Sequence, residues 1–246
     1  MKINFFPELT AAPEKTAASI AYAKSLGLPE IADAARPPLA VVAGGPSVAR
    51  RIEDLWNWAG DIWVCGTAYP WARSKGLDAT FFCVDQANDV APFAEGAKHA
   101  ILATCSDPST FDALRGAKVE IFDLYNGSGG VTHGTSTASS TFELSLRMGY
   151  RSVTYFGCES SYEGASHAYH HDTPQFEIRV VCGGELFDTN ASLLMQVEHM
   201  AEIIRTFPMF FRERSGGLLR AMIANPEFDI THGSQDLHDH IFKKAA

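Results

Sequence analysis

The chain has 246 residues, 46% of them hydrophobic and 20% charged, which is room for one α/β domain with a sizeable core. A formal net charge of −9 excludes a nucleic-acid partner held by bulk positive charge. The five cysteines (Cys65, Cys83, Cys105, Cys158 and Cys182) are odd in number and form no C-x-x-C pair, which argues against a disulfide framework and for a reducing, cytoplasmic setting.

Residues 1–38 read as a helical N-terminal extension, with a short helix at 17–26 stopped by Arg36-Pro37-Pro38. The opening segment lacks a basic stretch followed by an apolar one, so no secretory signal is expected. No run approaches the roughly 18 apolar residues of a membrane span. From residue 39 short apolar runs alternate with helical patterns. Strands are predicted at 39–43, 61–65, 79–84, 99–103, 118–122 and 152–156, and helices at 48–59, 69–75 and 136–148. Apolar runs of this kind, without polar alternation, suit parallel strands covered on both faces. The predicted fold is therefore α/β, a Rossmann-like, doubly wound and mostly parallel sheet spanning 39–225. The pattern then changes. Runs at 176–181 and 185–188 flank Gly183-Gly184 as a small hairpin or lid insertion. An amphipathic helix follows at 190–206, capped by Thr189 or Asn190, and a last helix at 218–223. Residues 226–246 read as a polar tail, including His232, His238 and His240.

The strongest chemical signal is the loop after the first strand, Gly44-Gly45-Pro46-Ser47. Glycines allow close backbone approach, and free N–H groups at a helix start favour phosphate. The same residues also fit a plain strand-to-helix turn. A second glycine-rich stretch, 127–136, contains Gly129, Gly130, Thr135 and Ser136 and lies after the fifth strand, on the same sheet edge as the first loop. Asp85 ends the third strand there, with Asp89 four residues on. Asp85 suits a ribose, a substrate or Mg²⁺ bound through one or two carboxylates, and equally a helix cap. Glu159 follows the sixth strand. His167, His170 and their neighbours form a loop that either folds over a ligand, with one histidine as acid or base, or is merely solvated.

Together these pieces resemble the MptE-like family of 6-hydroxymethylpterin diphosphokinase-like proteins, which includes the motility-associated-factor proteins. The matching segments are VVAGGPS (41–47), VCGTAYPWARSKGLDATFFCVD (64–85), TSTASSTFELSLRMGYRSVTYFGCESSY (135–162), SHAY (166–169), DTNASLLMQVEHMAEIIRTFP (188–208) and SGGL (215–218), in order over roughly 39–220. The layout is also distantly similar to Rossmann-like bacterial sialyltransferases, whose G-P-S loop matches Gly45-Pro46-Ser47. Thr135-Ser136-Thr137 departs from their T-S-G loop at Thr137, and CGGELFDTN lacks their histidine before the closing helix.

The resemblance implies a nucleotide-dependent transferase, glycosyltransferase-like, using a nucleotide-activated sugar and a hydroxyl acceptor. Gly44, Gly45, Pro46 and Ser47 would hold phosphate, and Gly66, Gly129, Gly130, Thr135 and Ser136 the rest of the nucleotide. Asp85, Glu159, His167 and His170 are the catalytic candidates, and Asp85 and Asp89 the candidates for Mg²⁺. An ATP-dependent pyrophosphokinase acting on a pterin-like alcohol, and a non-catalytic nucleotide-binding protein, stand as alternatives. No nucleic-acid partner is expected, and a homo-oligomer is compatible with the sequence.

Overall fold

The computed structural model describes residues 12–124, 129–131, 134–162 and 178–225. Among them the chain forms α1 (Pro13–Ser25), β1 (Leu39–Val42), α2 (Ser47–Arg50), α3 (Ile52–Trp56), β2 (Asp61–Cys65), α4 (Tyr69–Ser74), β3 (Thr80–Cys83), β4 (His99–Ala103), α5 (Pro108–Ala113), β5 (Lys118–Phe122), α6 (Thr141–Arg147), β6 (Val153–Phe156), β7 (Ile178–Cys182), β8 (Glu185–Thr189), α7 (Ala191–Thr206), β9 (Phe211–Glu213) and α8 (Gly217–Ala224). Seven strands make one sheet in the order β5-β4-β3-β2-β1-β6-β9, every neighbouring pair parallel. This is the predicted Rossmann-like, doubly wound α/β fold. The chain lays down β1 to β5 outward in one direction, then returns to place β6 on the other side of β1. The strand order therefore reverses at β1.

The unalternated apolar runs are explained by cover on both faces. Leu39, Val41, Trp63, Phe82 and Ile101 pack into one core with Phe142, Met200 and Leu218. Their strand neighbours Ala40, Val42, Val64, Phe81 and Leu102 pack into a second core with Val48, Leu55 and Phe111. Trp63 stacks on Phe82 and meets Tyr150 edge-on, so aromatic packing fills the first core near β2.

Two expected helices are shorter than their sequence patterns. The 48–59 segment breaks at Arg51, whose φ of −109° separates α2 from α3. Only Thr141–Arg147 of the 136–148 segment is regular α-helix. Hydroxyls explain the difference: Ser139 and Ser140 each donate to the Ser136 carbonyl, and the Ser136 N–H donates to Ser139 Oγ. Such side-chain bonds offer the backbone a turn in place of a helix. The hairpin forms as expected, antiparallel, with Gly183 and Gly184 both at positive φ, as its two-residue turn requires. Asn190 caps α7 through a bond accepted from the Leu193 N–H. No helix among the described residues is long and apolar enough to cross a membrane.

The described part of the N-terminal extension, from residue 12, packs against the sheet and its helices. Ala23 of α1 is buried, Tyr22 donates to Asp112, and Lys15 pairs with Asp107 at 3.2 Å. The backbone at Pro29 and Ile31 bonds the Ile121 backbone and covers the edge of β5. Asp107 also caps α5, accepting the Ser109 N–H and hydroxyl. Burial pushes its carboxyl up, but the Ser109 bonds and the Lys15 ammonium outweigh this and hold it below the usual carboxylate range. The folded value lies below the unfolded one. The stabilisation is therefore complete above the unfolded pKa of roughly 4 and is lost as pH falls through the folded value. Asp107→Asn keeps a capping oxygen but removes the titration. Its stability should consequently fall less steeply between about pH 5 and pH 2 than that of the parent. Urea unfolding across that range reads the difference, and parallel curves would contradict this assignment.

Candidate functional site

The loops after β1 and β6 emerge side by side at the carboxyl edge of the sheet, where the strand order reverses. Open parallel sheets bind ligands at this point. A crevice of about 370 Å³ lies there, near the lower end of the range for ligand pockets. Its floor is the β1 loop, Ala43 to Pro46, against Gly157 and Glu159.

The β1 loop is held from below. The Ala43 N–H donates to the Phe156 carbonyl and the Gly45 N–H to the Gly157 carbonyl, both at 2.9 Å, so the strand pairing runs on past the strand ends. Beyond it, Glu159 Oε1 accepts the Ser47 N–H at 2.6 Å and Glu159 Oε2 accepts the Ser47 hydroxyl at 2.8 Å. Glu159 is 1% exposed, and two glycines make space for it. A Cβ on Gly45 would collide with its carboxylate, and one on Gly217 with its Cβ.

This geometry corrects the expectation for Ser47. The N–H and hydroxyl read as open to phosphate already bind a carboxylate of the same chain, and Ser47 is buried. The four-residue α2 also supplies little of the dipole that a longer helix would aim at an anion. Glu159, a catalytic candidate by sequence, is a buried clamp on the β1 loop.

The other candidates divide. Gly44, Gly45, Pro46, Gly66, Asp85 and Ser136 line the crevice. Asp85 is exposed at the end of β3, and its Oδ1 accepts the Ala87 N–H at 2.9 Å. Asp89 is exposed on a 3₁₀-helix, Asn88–Ala94, and is not among the lining residues. Gly129 and Gly130 lie outside the lining too; Gly130, at φ 98°, packs on the backbone of Asp123 and Leu124. Thr135 turns toward Ser139 and His199 rather than the crevice. His167 and His170 lie outside the described residues. No group of three or more His, Cys, Asp or Glu side chains is arranged for a metal ion among the described residues.

The structure adds residues that sequence reading missed. Ser160 and Ser161, and on α7 Ser192 and Gln196, bring hydroxyls and an amide to one wall. Gln196 donates to Ser160 Oγ at 3.1 Å, Asn190 donates to the Tyr162 hydroxyl at 2.7 Å, and Thr189 donates to the Ser160 carbonyl at 2.9 Å. Ser160 itself sits at φ 53°, a strained position for a non-glycine residue, as is common where a site fixes its backbone. The i, i+4 spacing of Ser192 and Gln196 on one face of the amphipathic helix was the one signal in the sequence for this wall. Cys65 and Cys83 also line the crevice, but burial pushes the Cys83 thiol up to about 12 and the Cys65 thiol higher still. Neither is a thiolate nucleophile at neutral pH.

The chain matches no protein-family model and no curated protein.

Proposed function

We propose that the protein is a nucleotide-dependent, glycosyltransferase-like transferase whose crevice holds a nucleotide-activated sugar. The observation that carries this reading is the crevice itself, placed where the strand order reverses and lined by hydroxyls and amides suited to ribose, base and sugar. The resemblance of the sequence segments at 41–47, 64–85 and 135–162 to the MptE-like family motivates it. With the Ser47 amide committed to Glu159, the donor phosphate is left to the Gly44 N–H and to hydroxyls such as those of Ser136 and Thr137, with Mg²⁺ carried in on the nucleotide as its counter-charge. Five buried free thiols accord with a reducing, cytoplasmic setting.

In this reading an acceptor hydroxyl oxygen attacks the anomeric carbon. The bond from that carbon to the phosphate oxygen breaks, and the nucleotide leaves with the electron pair. Asp85 is the exposed carboxylate positioned to take the hydroxyl proton. Glu159, which lines the crevice, positions the β1 loop.

The test incubates the protein with CMP-, UDP- and GDP-sugars, and separately with ATP and a pterin alcohol, each with Mg²⁺. Thermal shift and release of free nucleotide are read together. The expected result is a shift with one sugar nucleotide and its slow hydrolysis or transfer, lowered by about 10²-fold or more in Asp85→Asn. AMP release from ATP alone would move the reading to pyrophosphoryl transfer. Tight binding with no product over hours would leave a binding protein. No response to any of them would end the transferase reading.

A further inference from the structure

The charge around the crevice restricts what it takes. The segments that line it, 43–46, 65–67, 83–90, 136–138, 157–162 and 190–196, contain no lysine or arginine, and carry Asp85, Asp89 and Glu159; Lys15 reaches the Gln86 carbonyl from α1, but its ammonium is paired with Asp107. Between Phe122 and Arg179 the chain has only Arg147 and Arg151 as strong cations. Both are committed near the amino end of β6, Arg147 to Glu143 and Arg151 to the Leu146 and Tyr150 carbonyls. Arg179 pairs with Asp188 within the hairpin. The neutral polar groups, by contrast, are many and organised: Asn190 is tied to Tyr162 and Gln196 to Ser160, so their positions are set before a ligand arrives.

Phosphate sites normally oppose the ligand's charge with arginine, lysine or a run of free amides. Here Glu159 has taken the Ser47 amide. We infer that the crevice recognises the uncharged, hydroxyl-bearing part of its ligand, a nucleoside or a sugar, and that a phosphate on that ligand weakens binding unless a divalent cation comes with it. The inference deepens the transferase reading by assigning the recognition to the nucleoside and sugar, and it stands without that reading if a free sugar binds instead.

Calorimetric titration of the full chain at pH 8, where histidines of ordinary pKa are neutral, tests it. The ligands are adenosine, cytidine, guanosine and uridine, their 5′-mono- and diphosphates, and free hexoses, each in EDTA and in Mg²⁺. In EDTA the best nucleoside should bind on the order of tenfold more tightly than its own monophosphate, and Mg²⁺ should close the gap. Asp85→Asn should narrow the gap in EDTA to about threefold, because one of the opposing charges is removed. A monophosphate that binds more tightly than its nucleoside in EDTA overturns the inference and leaves the nucleotide reading intact. A gap that Asp85→Asn leaves unchanged overturns Asp85 as a source of the repulsion. Hexose binding without nucleoside binding supports the inference and removes the nucleotide from the proposed function. Silence from every ligand overturns both.

Discussion

Glu159→Ala is expected to lower the unfolding free energy by about 3–5 kcal/mol, the largest single effect foreseen at this site. The carboxylate is 1% exposed and accepts both the amide and the hydroxyl of Ser47. Truncation strands two buried donors, each costing about 1–3 kcal/mol when left without an acceptor, and opens a cavity between Gly45 and Gly217. Glu159→Gln keeps the shape and one acceptor oxygen, and should cost only about 1–2 kcal/mol. Its oxygen can accept the Ser47 N–H while its amide N–H donates to the Ser47 hydroxyl oxygen, so the hydroxyl's own hydrogen is what must find a new acceptor. Urea denaturation of the two variants separates these outcomes. A loss below about 1 kcal/mol in the alanine variant would show that the clamp contributes little and that water replaces it. If the alanine variant does not fold, the glutamine variant alone carries the comparison.

Gly45→Ala should be almost as damaging, at about 2–4 kcal/mol, and for a reason that a second substitution can reverse. Gly45 is not at positive φ, so the residue is required by proximity and not by backbone conformation. A methyl group there lands on the Glu159 carboxylate, while the Gly45 N–H is fixed to Gly157 and cannot retreat without breaking the extended strand pairing. The collision disappears when the carboxylate is removed. The double variant, Gly45→Ala with Glu159→Ala, should therefore be no less stable than Glu159→Ala alone. The coupling between the two sites should equal the Gly45→Ala loss itself, about 2–4 kcal/mol. Additive losses would mean that Gly45 is held by something other than Glu159.

The sheet was legible because each strand is a run whose two faces are both buried, a pattern that depends on composition over four or five residues. The Asn190 cap and the Gly183-Gly184 turn were legible for a similar reason, since each is decided by side chains within three residues of the backbone they serve. Other elements were not. Residues 107–113 offer a capping aspartate, Asp107, and a proline at the helix start, but a helix of six residues is too short for a hydrophobic period. Phe211–Glu213 is a three-residue edge strand, defined only by the β6 backbone beside it. The hydroxyls of Ser136, Ser139 and Ser140 read as the start of a helix and instead turned the backbone aside.

At the site the division follows the same physics. Residues 44–47 could be placed at the carboxyl edge of the first strand from the sequence, because strand, glycines and helix start are contiguous. Whether the Ser47 amide would meet a ligand or a protein carboxylate depended on Glu159, 112 residues later in the chain. The two meet only because β6 returns to lie against β1. Local pattern determined the strands, their parallel class, the caps and the edge on which a ligand would collect. Tertiary structure decided which polar groups face one another there, because burial forces each buried donor to find an acceptor. That acceptor is chosen by spatial neighbourhood, which strand order creates and sequence spacing does not encode.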